Sequence, residues 1–313
     1  MKTFWITGAR GFIGRHLAKR LAASGHRVAG LGHGNWPAVE ANAWGVGYWI
    51  AGDVSVSNLA QMRTALGIPD GIFHLAGGSS VGATLTNPHE DFRRTVDSTA
   101  ELLEWMRQHS PRTPLVAISS AAVYGSGHKG LIPENARPSP YSPYGAHKLM
   151  MEELCRSRAA NFGLSIALPR LFSVYGPELR KQLLWDVCNK LETNGEAELG
   201  GSGSELRDWM HVGDVAAALE RQIAWADATA PVFNIATGHP VAVRDVAVAL
   251  AAASSPPSSP PPIRFSGQSR PGDPQNLCAD ATRLKNSGFV CAMPLNEGIV
   301  EYVTWFRSLK GRP

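Results

Sequence analysis

Tyr144 and Lys148 have the clearest capacity for chemistry, because a spacing of four on a helix puts them one turn apart on the same face. A free phenol ionises near about pH 10, and a neighbouring ammonium favours the phenolate, bringing it toward a range in which it can exchange a proton with an alcohol or a ketone. Exposed helices often carry Tyr-x-x-x-Lys by chance, so the pair gains meaning only from its surroundings. Ser119 and Ser120 close an apolar run, Leu115-Val116-Ala117-Ile118, that reads as a strand. In an open parallel sheet ligands bind at the C-terminal ends of strands. Serines there can hold a reacting oxygen, or serve only as turn residues.

For these groups to converge, the chain has to build such a sheet. Thr3 to Thr7 reads as a buried strand that runs into Gly8-Ala9-Arg10-Gly11-Phe12-Ile13-Gly14; Phe12, Ile13, Leu17 and Leu21 then recur at helical spacing up to Ser24-Gly25-His26. A strand, a glycine-rich turn and a helix open a dinucleotide-binding unit, with close backbone approach at Gly8, Gly11 and Gly14 and a pyrophosphate facing the helix N-terminus. The next strand, Arg27 to Leu31, ends in Gly32-His33-Gly34, without the acid that would bond the ribose hydroxyls of NAD. Arg10 and His33 could meet a 2′-phosphate there, so the expectation leans to NADP.

Asp53-Val54 follows the third strand, and Asp53 could cap the helix marked by Leu59, Met62 and Leu66 or contact adenine. Ile72 to Gly78 is a fourth apolar strand entering a small-residue turn, as a sheet end beside a cofactor requires. From Pro88 to about His109, the pattern Phe92, Val96, Leu102, Leu103, Met106 makes one long helix. Its apolar stripe serves either a dimer face or plain packing on the sheet. The helix with Tyr144 starts near Ser142, and Leu164 to Pro169 is a further strand. After Pro177 the regular alternation stops, and Ser254 to Pro262 is too proline-rich for helix or central strand.

With 313 residues and 44% hydrophobic content, one large α/β domain with an appended lobe is expected. A formal charge of +4 without a Lys/Arg block suits an anionic small molecule and speaks against nucleic acid. The four cysteines are widely spaced and there is neither Cys-x-x-Cys nor His-Glu-x-x-His, so free thiols and no metal are expected. No signal-peptide core is seen and no apolar run approaches about 18 residues, so the expectation is a cytoplasmic protein that does not enter a membrane.

Taken together, Gly8-x-x-Gly11-x-x-Gly14, Asp53-Val54, His74-Leu75-Ala76, Ser119-Ser120-Ala121-Ala122-Val123-Tyr124-Gly125, Ser142-Pro143-Tyr144-x-x-x-Lys148, Arg207-Asp208-Trp209 and Arg270-Pro271-Gly272-Asp273 resemble the extended short-chain dehydrogenase/reductase family, especially its nucleotide-sugar epimerases, reductases and dehydratases. The resemblance implies a Rossmann-type doubly wound parallel sheet over residues 1–170, receiving segments around 210–240, and a smaller α/β substrate lobe over 171–313. It implies Tyr144 as acid/base, Lys148 on the nicotinamide ribose while lowering the tyrosine pKa, and Ser120 on the reacting oxygen. Cofactor contacts fall on Gly8, Arg10, Gly11, Phe12, Ile13, Gly14, His33, Asp53, Val54, Leu75, Ala76, Gly77, Ser119, Tyr144, Lys148 and Pro169.

Substrate contacts fall on Ser79, Ser120, Ser173, Arg207 and Arg270, the arginines holding a nucleotide diphosphate through their fixed fork of donors. A homodimer through helices 88–109 and 143–162 is also implied. The sequence departs from the family's patterns at Thr95 and Ser173, where asparagine is common, and at Ala121-Ala122, where the 4,6-dehydratases carry an acidic pair. The expected activity is epimerisation through transient oxidation at C4 of a nucleotide-linked sugar. The alternatives are an NADPH-dependent 4-keto reductase and, behind both, a cofactor-binding sensor without catalysis.

Overall fold

The computed structural model describes residues 1–78, 81–255, 260–268, 273–309 and 311. They divide into two compact units. The first is assembled from Met1–Gly125, Glu134–Leu171 and Ala216–Asn234, the second from Ser126–Pro133, Phe172–Val215 and Ile235–Pro313.

The first unit opens with β1 (Thr3–Thr7), α1 (Phe12–Ala23), β2 (Arg27–Gly32), α2 (Ala38–Ala43), β3 (Tyr48–Ala51), α3 (Val56–Leu66) and β4 (Gly71–His74). It continues through α4 (Val81–Thr86), α5 (Pro88–Phe92), a π-helical turn (Arg93–Asp97), α6 (Ser98–His109), β5 (Leu115–Ala117), β6 (Ser119–Ser120), α7 (Pro143–Phe162) and β7 (Ile166–Leu171). The sheet runs in the order Val232–Ile235, β7, β5, β4, β1, β2, β3, with β6 also on β7. The pairings of β1, β2, β3, β4, β5, β6 and β7 are parallel. Strand order reverses between β1 and β4, which makes this a doubly wound Rossmann-type α/β fold and puts its crevice at the ends of those strands. Covered on both faces, the strands are mainly apolar: Trp5, Leu31, Ile72, Leu115 and Leu168 are at most 1% exposed and pack with Leu102, Leu103 and Met106 of α6. Packing on the sheet therefore accounts for the helical stripe.

Two elements differ from expectation. The helix over 88–109 contains the π turn, where the hydroxyls of Ser98 and Thr99 donate to the Arg94 and Thr95 carbonyls at 2.5 and 2.6 Å. Such bonds compete with the helix's own ladder. The fifth strand, expected from Leu115 to Ser120, breaks at Ile118 into β5 and β6.

In the second unit, the strand Leu206–His211 pairs antiparallel with Pro240–Ala242 and parallel with Asn276–Leu277 and Ser173–Tyr175. Helices Gln182–Asn194, Val243–Ala253 and Leu295–Ser308 bury Leu184, Leu250 and Tyr302. Residues 256–259 of the proline-rich stretch lie outside the described residues. Among the described residues no helix is long and apolar enough to cross a membrane.

Candidate active site

Gly8 leaves β1 with φ +73°, and a Cβ there would stand 2.9 Å from the Ala76 nitrogen and from the Leu75 carbonyl carbon. The exits of β1 and β4 thus touch backbone to backbone, which only glycine permits. Gly8 N–H donates to Leu31 O at 2.6 Å and Gly11 N–H to Gly8 O at 2.9 Å, closing the turn. Gly11 is the N-cap of α1 with no side-chain cap, and the first turn of that helix has no acid. An anion, such as the pyrophosphate of a dinucleotide, fits this cradle.

At the end of β2, His33 Nε2 lies 2.7 Å from Asp53 Oδ1 in an exposed pair, and Arg10 Nη1 lies 2.5 Å from where a Cβ on Gly34 would be. An acid from the loop after β3 thus stands beside the end of β2. Asp53 does not cap α3. That position belongs to Ser55, whose Oγ accepts from Asn58 N–H at 3.3 Å, while the Asp53 carbonyl accepts from Asn58 Nδ2 at 2.8 Å. Val54 is buried in the core cluster.

The turn after β4 is held by a chain of hydroxyls. Ala76 N–H donates to Thr7 Oγ1 at 3.2 Å, and Thr7 Oγ1 lies 2.7 Å from His74 Nδ1. On the other side His74 Nε2 lies 3.0 Å from Thr99 Oγ1, which donates to Thr95 O. Since Thr99 spends its proton on Thr95, His74 donates from Nε2 and accepts from Thr7 at Nδ1. Burial, with Lys148 nearby, brings its pKa down to about 3, so the ring stays neutral. Thr95 Oγ1 accepts from Gly78 N–H at 2.8 Å. The residue that stands where asparagine is common therefore pins the loop.

That diversion frees an acceptor. Ile118 N–H donates to His74 O at 3.1 Å, so a continued parallel ladder would bring Ala76 N–H to Ile118 O. Thr7 takes that N–H instead, and Ile118 O accepts from Lys148 Nζ at 2.8 Å. Lys148 is 5% exposed, and its pKa is lowered to about 8 by burial, against the opposing pull of Asp91 and Glu152.

Tyr144 sits in the first turn of α7, which Ser142 caps by accepting from Gly145 N–H at 3.2 Å and Pro143 starts. A Cβ on Gly145 would stand 2.5 Å from Ala122 O, so a glycine here lets the helix lie directly against the turn after β6. Ser120 Oγ accepts from Ala122 N–H at 3.2 Å and hydrogen-bonds the Tyr144 hydroxyl. The phenol's pKa is raised above its ordinary value, chiefly by burial and further by Asp91, with the Ser120 bond working the other way. The expected acidification by Lys148 is thus not what the protein alone provides. The ammonium is directed at Ile118 O, and burial outweighs its reach.

Ser119 faces elsewhere. Its hydroxyl donates to Glu152 Oε1 at 2.5 Å, and Arg170 grips the same carboxylate through Nε and Nη2 at 2.8 and 2.7 Å. Burial pushes the Glu152 carboxyl up, but Arg170 more than offsets it and the net shift is downward. Pro169 lies within β7, buried. In the second unit Ser173 pairs with Trp209, and Arg207 Nη1 donates to Leu206 O at 2.8 Å. Asp208 is buried and accepts from Thr237 and Gly238 N–H at 2.8 Å each, capping that turn. Ser79 and Arg270 lie outside the described residues. Among the described residues no group of three or more His, Cys, Asp or Glu could hold a metal ion. Thr7 and Thr99 are the residues that sequence reasoning passed over, and His74 entered it only as part of a motif, without a role. Each is a polar residue inside an apolar element, the one signal that pointed to them.

A doubly wound sheet with a glycine cradle and a Ser, Tyr, Lys group at its strand ends defines a short-chain dehydrogenase/reductase type of protein. The chain belongs to the NAD dependent epimerase/dehydratase family, whose model matches residues 4–236. The solved structure of MoeE5 in complex with UDP-glucuronic acid and NAD is 31% identical, with 98% of this chain and 99% of that one covered at a TM-score of 0.85. The UDP-glucose 4-epimerase of Thermus thermophilus in complex with NAD is 26% identical, covering 97% and 99% at a TM-score of 0.85. A putative UDP-glucose 4-epimerase of Methanocaldococcus jannaschii is 26% identical over 315 residues, 97% of this chain and 98% of that protein.

Proposed function

We propose that this protein is an NAD-dependent epimerase of a nucleotide-diphosphate sugar, acting at C4. The observation that carries the proposal is the convergence of Ser120, Tyr144 and Lys148 with Ala121 and Ala122 beside them. The three polar groups suit proton transfer at a carbinol, and two alanines leave no acid for eliminating water.

Gly8 to Gly14 would hold the dinucleotide phosphates, the turn from Leu75 to Gly77 its nicotinamide half, and Asp53 with His33 its adenosine end. NAD, when bound, supplies a hydride acceptor and donor beside the sugar. Tyr144 takes the proton from the C4 hydroxyl and returns it after the ketone has turned over. Ser120 holds that oxygen, and Lys148 supplies a fixed positive charge beside the phenol. Arg207 and Arg270 bind the diphosphate. The Asp53 carboxylate at the end of β2 would repel a 2′-phosphate, so we assign NAD rather than NADP; the solved neighbours above, which hold NAD, give the lean to NADP no support. The 4-keto reductase reading leaned on the same missing acid and weakens with it. Helices 88–109 and 143–162 are assigned as the faces of a homodimer.

The test is a panel of UDP-, GDP-, dTDP- and CDP-sugars with products identified by NMR. Interconversion of C4 epimers without added cofactor, by protein that copurifies with NAD, is the expected result. Tyr144→Phe removes turnover, a loss of at least about a thousand-fold, while NAD binding stays near wild type. Full activity in that variant overturns the assignment.

A further inference from the structure

Asp91 is a buried acid on α5 that the proposed reaction does not use. Its Oδ2 lies 2.5 Å from His147 Nδ1, and the two side chains are only 4% and 12% exposed. Its Oδ1 presses on Gly78 in the turn after β4, occupying the space a side chain there would need. Lys148 Nζ abuts the preceding residue, 3.3 Å from where a Cβ on Gly77 would stand. His147 is the residue before Lys148 and the third after Tyr144 on α7, with its ring edge-on to Phe92 at 5.5 Å. The carboxylate and the ammonium therefore meet at adjacent residues of one loop.

The other charges around this point are accounted for. On α5, Glu90 pairs with Arg94 at 2.6 Å and with Arg93 at 4.0 Å, and His89 is exposed; on the π turn Arg93, Arg94 and Asp97 are exposed; α4 carries no titratable residue. From α7 come Tyr144, Lys148, Glu152 and Cys155, and Glu152 is already taken by Arg170. His74 is neutral. Asp91 is left as the anion whose charge is not cancelled by a guanidinium.

We propose that Asp91 and His147 are a positioning pair for the reaction: Asp91 sets a negative charge beside Tyr144 and Lys148, and His147 pins that carboxylate in place. The pair keeps Lys148 charged and makes the Tyr144 proton harder to remove, in agreement with the direction in which Asp91 acts on both groups. Tyr144 thus holds its proton in the cofactor-free protein.

This inference rests on Tyr144 as the acid/base. The test reads ionisation of the Tyr144 phenol by ultraviolet absorbance, each protein against its Tyr144→Phe counterpart. Asp91→Asn is expected to move the midpoint to lower pH by about one unit, ten-fold in the ionisation constant, and to move the acidic limb of turnover with UDP-galactose, where the base gains its proton, the same way. His147→Asn, which keeps a donor near the Nδ1 position, leaves the midpoint near wild type, whereas a role confined to packing predicts equal damage from either change. A midpoint in Asp91→Asn equal to wild type overturns the proposal. A second measurement needs no Asp91 variant: the Asp91 carboxyl 13C resonance should follow Tyr144 ionisation in the wild type and lose that step in Tyr144→Phe, and a resonance that ignores it is equally fatal. If Tyr144→Phe retains turnover, the acid/base assignment fails. If that variant is dead and Asp91→Asn titrates as wild type, only the role of Asp91 fails.

Discussion

Lys148 is charged in a place that does not favour charge. Burial lowers its pKa from 10.5 to about 8, so below pH 8 the folded protein carries an ammonium it would more readily hold as an amine. Between pH 8 and 10.5 the unfolded chain binds more protons than the folded one, so this residue makes stability rise with pH. Lys148→Met has no such titration. The stability of that variant relative to wild type is therefore expected to be highest near pH 7 and to fall by about 3 kcal/mol as pH approaches 10.5, read by urea unfolding at both ends. A constant difference would contradict the assigned burial. Tyr144, Lys148 and Ser120 could be found in the sequence because spacing and strand ends are local. The orientation of Lys148 toward Ile118, and the charge that reaches Tyr144 from Asp91, could not, since those contacts bridge 30 and more residues.

The elements around the turn after β4 work as one brace. β1 contributes Thr7, β4 contributes His74, and the π turn and α6 contribute Thr95 and Thr99; their side chains hold Ala76 and Gly78 by the backbone. Their positions were legible as elements, with the strand Thr3–Thr7 and the glycine turn bounded by punctuating residues. The π turn was concealed because the apolar stripe continues through it. Likewise the break at Ile118 lies within an unbroken apolar run. Thr99→Val keeps shape and removes the acceptor for His74 Nε2, leaving a buried donor without its partner. A loss of about 1–3 kcal/mol in unfolding free energy is expected, together with weaker NAD binding by calorimetry. Wild-type stability and affinity in this variant would show that the brace is incidental.

Across the whole molecule, the sheet is completed by chain that comes back from far along the sequence. The unit that contains β1 to β7 also needs residues 216–234. Ile166 exchanges bonds with Asp227 at 2.9 and 3.3 Å, Leu168 N–H donates to Pro231 O at 2.9 Å, and Tyr124 donates to Asn234 Oδ1 at 2.7 Å. A boundary at residue 170, natural from the alternating pattern that ends there, leaves β7 as an apolar edge with unpaired backbone groups. Strand pairing between residues so distant has no local signature, so the alternation shows only where it stops, and the return of segments around 210–240 was implied by the family resemblance and not by any spacing. A fragment of residues 1–171 is therefore expected to aggregate or to lack near-ultraviolet circular dichroism, even though it holds the glycine cradle, Ser120, Tyr144 and Lys148. Supplying residues 216–236 through a short linker is expected to restore a folded protein that binds NAD, because it returns the edge strand and the Asn234 partner of the buried Tyr124. A soluble 1–171 fragment with native-like dichroism and NAD affinity would mean that the returning segment only decorates the sheet, and that the cradle is stabilised by its own seven strands and helices.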